Sequence, residues 1–321
     1  MRIAYLILAH NNPAHLARLI GRLRAPDSRF FVHIDAKSDI APFRALAGPD
    51  TTLCERRVNG TWGDISLVDA TLEALRCAAA PGAGIDGGFD YFVLLSGACY
   101  PLRTPADIAD FLARHRGTEF IEAFPMPDPA YGKPIERLTR YWIRKGPPLA
   151  RLRWPLQRLL NRFMPARDYR AALGAGADAL VAGSQWWCLS AEAVGLVLDH
   201  ERAQPGLHRF CRLVDCPDEF FFQYLVWNSP LRARVSHSLT YTRWRAGGNG
   251  PELIDERDLA AFAADVIVDA EHNNSPGAKR EVLFARKFDD AAAPLLARID
   301  ALADARAAPA PAPARQTFIM E

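Results

Sequence analysis

The first third of the chain alternates short apolar runs with amphipathic segments. The apolar runs cover residues 3–9, 30–34 and 91–95, and the segments with helical spacing cover residues 13–23, 66–79 and 105–115. Short apolar runs bounded by turn residues are typical of buried strands, and strands that alternate with helices form a sheet with helices on both faces. The sequence therefore predicts an α/β fold built on a Rossmann-like mixed sheet.

Two of the predicted helices begin with a proline that follows a polar residue. Asn12 precedes Pro13, and Thr104 precedes Pro105. Proline is favoured at the first helical position, and Asn or Thr before it can cap the free amides with its side chain. We therefore expect Asn12 and Thr104 to cap these helices.

The remainder of the chain divides into a second half and a tail. After residue 120 the pattern becomes proline-rich and basic, and it then resumes with an apolar run at 179–189, a helix at 191–200 and an aromatic run at 220–227. We interpret residues 1–120 and 121–300 as two halves of one domain that share a sheet. Residues 301–321 are rich in Ala and Pro, which predicts a disordered tail.

Composition and motifs exclude several classes of protein. A formal charge of +2 in 321 residues gives no global reason to expect a nucleic-acid partner. No P-loop occurs, and the literal G-x-G-x-x-G at residues 82–87 follows a predicted helix, whereas a dinucleotide-binding motif follows a strand. The sequence contains no Asp-x-Asp, the usual manganese ligand of nucleotide-sugar enzymes, so we expect neither a metal nor another cofactor.

The most basic segment runs from Arg137 to Arg170. It contains ten Arg or Lys side chains and a single acid, Asp168, and Leu and Trp residues are interleaved with them. Such a segment is suited to peripheral contact with an anionic membrane, and it is equally typical of a solvated helix packed by its apolar face. Because no signal peptide or membrane anchor is visible, we expect a cytoplasmic protein; if the basic segment binds a membrane, it would do so at the inner face of the cytoplasmic membrane.

Polar residues that follow the predicted strands are the first candidates for a binding site. His10 follows the first strand, Asp35 follows the second with Lys37 beside it, and residues 96–97 follow the third. Ligands of open α/β sheets gather at the carboxyl ends of the strands, so these residues should line one crevice. The alternative for Asp35 is that it caps the turn after its strand.

Two further stretches are candidates. Thr61, Trp62 and Gly63 precede the helix at residue 66, where backbone amides favour an anion. Gln185 lies before two adjacent tryptophans, Trp186 and Trp187; in a strand, one of these would face the core and the other a cleft, where an aromatic ring can bind a sugar.

Two pairs of adjacent charged residues, one acidic and one basic, are the last candidates for the binding site. Asp218 and Glu219 precede three phenylalanines, so at least one carboxyl should be desolvated, with a raised pKa suited to proton abstraction. We assign helix capping to Asp218 and the role of general base to Glu219. Arg286 and Lys287 are adjacent cations between aromatic residues, as a diphosphate would require.

Seven of these segments, in this order along the chain, resemble the core-2/I-branching β-1,6-N-acetylglucosaminyltransferase and peptide O-xylosyltransferase family. They cover residues 4–10, 32–38, 61–70, 91–104, 183–190, 217–222 and 283–289, and the last contains Phe-Ala-Arg-Lys-Phe. The resemblance implies a single catalytic domain of GT-A type and inverting transfer from a UDP-sugar without a required metal. Residues 1–120 would bind the UDP-sugar, and residues 121–300 would bind the acceptor and catalyse transfer.

The resemblance also implies roles for individual residues. Ala9, His10, Asp35 and Lys37 would contact the uridine, and Thr61, Trp62 and Gly63 would contact the donor. Gln185 and Trp186 would line the cleft between donor and acceptor. Arg286 and Lys287 would stabilise the departing UDP. The xylosyltransferase branch carries an acid where this chain has Gln185, so we expect N-acetylglucosamine first and xylose second. The acceptor would be a saccharide or a lipid-linked glycan. The alternative is a non-catalytic nucleotide-sugar or glycan-binding protein on the same fold.

Overall fold

A mixed sheet of seven strands forms the centre of the structure. The structure is a computed structural model, and it describes residues 1–85, 88–129, 132–144, 152–244, 250–264, 267–268 and 279–307. The strands are β1 (Ile3–Ala9), β2 (Ser28–Ile34), β3 (Thr51–Leu53), β4 (Tyr91–Ser96), β5 (Cys99–Pro101), β6 (Glu119–Phe120), β7 (Phe124–Pro125), β8 (Val181–Ala182), β9 (Cys188–Ser190), β10 (Val235–Ser236), β11 (Thr240–Thr242), β12 (Ile267–Val268), β13 (Lys279–Arg280) and β14 (Phe284–Arg286). The order in the large sheet is β10-β6-β9-β4-β1-β2-β3.

The large sheet is parallel on one side and mixed on the other. β1 pairs in parallel with both β2 and β4, so that Ile7 lies opposite Val32 and Leu95. β9 runs antiparallel to β4 and β6. A smaller sheet places β14 between β11, to which it is parallel, and β5, to which it is antiparallel. The sheet thus joins strands from both halves of the chain in one domain, as the sequence predicts.

Helices cover both faces of the sheet. They are α1 (Pro13–Leu23), α2 (Ser66–Ala79), α3 (Pro105–Arg114), α4 (Glu136–Thr139), α5 (Arg153–Phe163), α6 (Tyr169–Leu173), α7 (Ala191–Ala203), α8 (Gly206–Cys211), α9 (Phe221–Trp227), α10 (Leu259–Ala263) and α11 (Ala293–Ala307). Successive residues of a strand point to opposite faces. Tyr5 and Ile7 therefore join the core under α1, α3 and α11, whereas Ala4 and Leu6 join the core under α2, α7 and α9. The α/β class is confirmed.

The predicted elements of the first third occur where the sequence places them. α1 and α2 have the predicted bounds, and β4 extends one residue further, to Ser96. Thr104 caps α3 in a reciprocal arrangement with Asp107, which confirms that prediction. The capping prediction for Asn12 is wrong: its backbone is left-handed, with φ 53°, and its side chain makes no capping hydrogen bond.

The sequence predicts a disordered tail from residue 301, but the last helix extends beyond that residue. α11 continues to Ala307, so residues 301–307 are helical. Ala303 is buried in this segment and Asp304 pairs with Arg22, which explains why the helix extends this far. Residues 308–321 lie outside the described part of the chain. Within that part, no helix is both long enough and apolar enough to cross a membrane.

Gly183 brings three segments together beside the candidate base. Its amide donates to the Glu219 carbonyl over 2.9 Å. A Cβ at this position would lie 1.8 Å from the Glu122 carbonyl oxygen, which is fixed backbone. Glycine is therefore required here for packing.

We expect Gly183→Ala to lower the free energy of unfolding by about 3 kcal/mol or more, because the methyl group would displace the backbone of residue 122. Gly195→Ala is the matched control, since Gly195 lies in α7 and no atom lies within 4 Å of the place that a Cβ would take there. The control should raise stability by about 0.5–1 kcal/mol. Urea denaturation of both variants measures the difference, and equal stability would contradict the packing argument.

Candidate active site

The carboxyl ends of β1, β2 and β4 meet at one edge of the sheet. The Asp35 amide donates to the Ala9 carbonyl, and the Gly97 amide donates to the Leu8 carbonyl, each over 2.8 Å. A Cβ on Gly97 would lie 2.8 Å from the Ala9 Cβ, so the close approach leaves no room for a side chain. The prediction that these strand ends lie together is confirmed, and His10 is exposed beside them.

Asp35 joins the end of β2 to the loops that follow. Its Oδ1 accepts from the Lys37 amide over 2.8 Å, and its Oδ2 accepts from the Gly60 amide over 3.0 Å. The Lys37 ammonium lies 3.9 Å from Asp35 Oδ2 and donates to the Gly60 carbonyl. The carboxylate thus caps its own turn, which is the alternative that the sequence left open. Recognition of uridine by Asp35 and Lys37 stays a prediction.

The loop before α2 lies against the segment that carries Glu219. The Gly63 carbonyl accepts from the Cys216 amide over 3.1 Å. The Trp62 side chain is 66% exposed, and the Arg144 guanidinium lies 5.1 Å from its ring centroid. At the start of the helix, the Ser66 amide donates to Asp64 Oδ1 over 3.0 Å. The predicted anion position is therefore filled there by the chain's own carboxylate, and donor contacts of residues 61–63 stay a prediction.

Glu219 is held by two cations from one distant segment. Arg137 Nη1 donates to Glu219 Oε2 over 2.7 Å, and the Lys133 ammonium donates to the same oxygen. No donor from the described part of the chain reaches Oε1. Burial alone would raise the pKa of the Glu219 carboxyl, but the charges of Lys133 and Arg137 outweigh it and hold this pKa below its usual value.

Asp218 carries the raised pKa. Its side chain is buried, and Oδ1 has no hydrogen-bond partner among the described residues. Burial, followed by the charge of Glu219, raises the pKa of the Asp218 carboxyl to about 7. Asp218 lies in a short 3-10 turn, Pro217–Glu219, and caps neither that turn nor α9. The sequence prediction of a cap at Asp218 is therefore wrong. The sequence also assigns the raised pKa of a desolvated base to Glu219, but in the structure it is the pKa of Asp218 that is raised.

Arg286 and Lys287 lie at the end of β14 without an acidic partner among residues that the structure describes. The Arg286 guanidinium lies 4.5 Å from the ring centroid of Trp186. The Arg286 Nε is buried and has no hydrogen-bond partner among the described residues. Burial lowers the pKa of both side chains, and the neighbouring Arg286 charge lowers that of Lys287 further. In contrast, Arg243, just after the adjacent β11, pairs with three carboxylates, those of Glu252, Asp255 and Asp258.

The two charged groups lie at the two ends of one short segment. Gly183 bonds to the Glu219 backbone at one end, and Trp186 lies beside Arg286 at the other. Three residue steps span at most about 11 Å. The half-buried Gln185 lies between them. The turn that carries Glu219 and the Arg286 guanidinium therefore contact opposite ends of the segment 183–186.

The two tryptophans do not divide between the core and the cleft as alternating strand positions. Residues 183–187 form a connection before β9, and both rings are buried, with 7% of Trp186 and 2% of Trp187 exposed. Trp187 packs against Phe222 of α9. The Arg286 guanidinium lies over the Trp186 ring.

Two cations of the site are not evident from the sequence. Lys133 is the one cation in a proline-rich stretch, and nothing local marks it; the antiparallel bridge with Asp128 positions it. The sequence places Arg137 on a basic surface together with Arg167, but Arg137 binds Glu219 and Arg167 is surrounded by carbonyls. Among the residues described, no group of three or more His, Cys, Asp or Glu could hold a metal ion, and metal independence stays a prediction.

The chain is similar to known xylosyltransferases. Xylosyltransferase 1 of Canis lupus familiaris is 24% identical over 298 residues, which cover 90% of this chain and 29% of the relative. Xylosyltransferase oxt of Drosophila melanogaster is 26% identical over 259 residues, which cover 76% of this chain and 26% of the relative. The chain thus spans less than a third of the length of these curated relatives.

The family comparison covers most of the chain. The family model described as Core-2/I-Branching enzyme matches residues 3–263. The single mixed α/β domain with helices on both faces is consistent with the GT-A type fold that the sequence resemblance implies. The chain belongs to the Core-2/I-branching enzyme family.

Proposed function

We propose that this chain is an inverting glycosyltransferase that moves a sugar from a UDP-sugar to a hydroxyl of a saccharide or lipid-linked glycan. N-acetylglucosamine is the first candidate for the sugar, and xylose is the second. Family membership and the similarity to xylosyltransferases support the transferase class. The observation that carries the proposal is the pair of desolvated cations, Arg286 and Lys287, without a described acidic partner.

Half-buried cations without an acidic partner among the described residues are costly, so a site that keeps them is suited to an anionic ligand. When the bond between the sugar and UDP breaks, negative charge grows on the diphosphate. Arg286 is fixed by Trp186 and by the pairing of β14 with β5 and β11. Cations held in place before the reaction stabilise this developing charge without reorganising.

Glu219 is the proposed general base. It takes the proton of the acceptor hydroxyl, while the hydroxyl oxygen attacks the anomeric carbon from the face opposite UDP. Because Lys133 and Arg137 both bind Oε2, Oε1 remains available to the acceptor. The lowered pKa keeps Glu219 ionised before the acceptor arrives, and it also makes Glu219 a weaker base than the sequence suggests.

The second candidate function is binding without turnover, either of a nucleotide sugar or of a glycan. The observation that favours it is the same ion cluster, because a carboxylate neutralised by two cations can have a purely structural role. Absence of transfer from any UDP-sugar, with ligand binding intact, would identify this alternative.

We expect one UDP-sugar to raise the thermal midpoint in EDTA, because a ligand that binds only the folded state stabilises it by mass action. The panel comprises UDP, UDP-N-acetylglucosamine, UDP-xylose, UDP-glucose and UDP-galactose, each with EDTA and with manganese. Lys287→Ala should weaken UDP binding about tenfold or more. Arg202→Ala, an exposed cation on α7, is the control and should bind UDP like the wild type. No shift with any uridine nucleotide would contradict the proposal.

Glu219→Gln should lower kcat roughly 100-fold to 10,000-fold, the usual contribution of a general base, and leave UDP affinity nearly unchanged. Asp218→Asn is the matched control and should retain turnover, because Asp218 is buried. Single-turnover kinetics and UDP titration separate the two effects. Loss of turnover in the Asp218 variant alone would transfer the role of base to Asp218.

Asp218→Asn should stabilise the protein increasingly as the pH rises. The raised pKa means that the folded wild type loses stability as the pH rises from about 4, where the unfolded carboxyl ionises, to about 7, where the folded one does. The variant lacks this loss, so its advantage should be near zero below pH 4 and reach about 4 kcal/mol at most above pH 7. Urea denaturation of both proteins at several pH values measures it, and a constant difference would refute the assigned pKa direction.

A further inference from the structure

Helix α5 is attached to the protein by polar side chains. Asn161 accepts from the Tyr141 amide over 2.8 Å and donates to the Tyr141 carbonyl over 2.9 Å. Gln157, one turn earlier on the same face, accepts from the Ile143 amide over 3.0 Å. Residues four apart lie on one face of a helix. The polar face of α5 therefore points towards the protein, the reverse of an ordinary surface helix.

The opposite face of α5 is apolar and exposed. Leu152, Leu156, Leu159 and Phe163 are spaced by four, three and four residues, which places them on one face. Their exposed fractions are 51%, 40%, 54% and 71%. No residue of α5 is buried. Trp154 and Met164, at the two ends of the helix, are also about half exposed. Contiguous exposed apolar surface of this kind marks an interaction site.

Cations accompany this apolar face, and acids do not. Residues 152–164 contain no Asp or Glu. Arg158 and Arg162 are exposed and form no ion pair with a described residue. The Arg162 guanidinium lies 5.8 Å from the Phe163 ring centroid, and that of Arg153 lies 4.7 Å from the Trp154 ring centroid. The helix therefore combines aliphatic and aromatic side chains with unneutralised positive charge.

We propose that α5 lies in the interface of an anionic lipid membrane. Its apolar face would enter the boundary between headgroups and acyl chains, and Arg158 and Arg162 would contact lipid phosphates. A second copy of the chain fits less well, because it would bring the same arginines together without acids to neutralise them. Within the basic segment 137–170, Arg137, Arg144 and Arg167 are engaged internally, whereas Arg158 and Arg162 of α5 are exposed.

The same segment that holds α5 also holds the candidate base. Arg153 donates to the Arg144 carbonyl over 3.1 Å, and Asn161 binds Tyr141. Arg137, four residues before Tyr141, binds Glu219. Membrane contact by α5 would thus hold the proposed acceptor cleft close to the lipid surface. This consequence for the acceptor rests on the proposed function, whereas membrane binding itself does not.

The test is co-sedimentation of the full chain, without nucleotide, with vesicles of phosphatidylcholine alone and of phosphatidylcholine mixed with phosphatidylglycerol. We expect binding to the anionic vesicles at low salt, and weaker binding at higher salt. Leu159→Glu with Phe163→Glu should abolish it. Arg158→Gln with Arg162→Gln should weaken it by about fivefold for each charge removed. Leu253→Glu, which alters an apolar residue 52% exposed outside α5, is the control and should bind like the wild type.

No binding of the wild type to anionic vesicles at low salt would overturn the proposal, as would equal loss in the Leu253 control. A dimer that the Leu159 and Phe163 substitutions dissociate, in a protein that does not bind vesicles, would identify a second copy as the occupant. All substituted side chains are exposed, and an unchanged thermal midpoint verifies folding. Because the assay contains no nucleotide, its failure would not count against the transferase proposal.

Discussion

The ion cluster of Glu219, Lys133 and Arg137 is the interaction on which the geometry of the candidate active site depends. It joins Glu219 to residues 86 and 82 positions away. Removing one partner from a buried ion pair typically costs about 3–5 kcal/mol, because the remaining charge is left uncompensated. Around the cluster, the Asp215 amide donates to the Arg137 carbonyl and the Trp142 amide to the Leu213 carbonyl. These contacts attach residues 133–144, and through them α5, to the turn that carries the carboxylate.

The first third of the fold can be predicted from sequence because its signals are local. The apolar periodicity of α1 and α2, the length of β1 and the Thr104 cap are each contained in a few neighbouring residues. The second half of the chain carries weaker local signals. β6, β8 and β10 are two residues long and too short for a period of two to be visible. The aromatic run that forms α9 is buried around most of its circumference, so it lacks the polar face that marks a helix.

The candidate site is predictable where it depends on topology, and is not predictable where it depends on distant charges. The rule that ligands lie at strand ends is enough to place Ala9, His10 and Asp35 together from the sequence. The pKa directions of Asp218 and Glu219 cannot be predicted in the same way. The pKa values of these adjacent carboxyls differ because Lys133 and Arg137 bind Glu219, whereas Asp218 is buried and its Oδ1 has no hydrogen-bond partner among the described residues.

The charges around the cleft explain why a buried acid can remain beside an ionised one. With Asp218 protonated, Glu219 is the negative charge that faces Lys133 and Arg137, and Arg286 and Lys287 have no acidic partner among the residues described. The candidate site then carries an excess of positive charge, which favours the diphosphate of the proposed donor. Ionising Asp218 would reduce that excess and place a second negative charge next to Glu219. Because burial raises the pKa of Asp218 to about 7, this carboxyl is mostly protonated below neutral pH, and the excess of positive charge should fall as the pH rises through about 7.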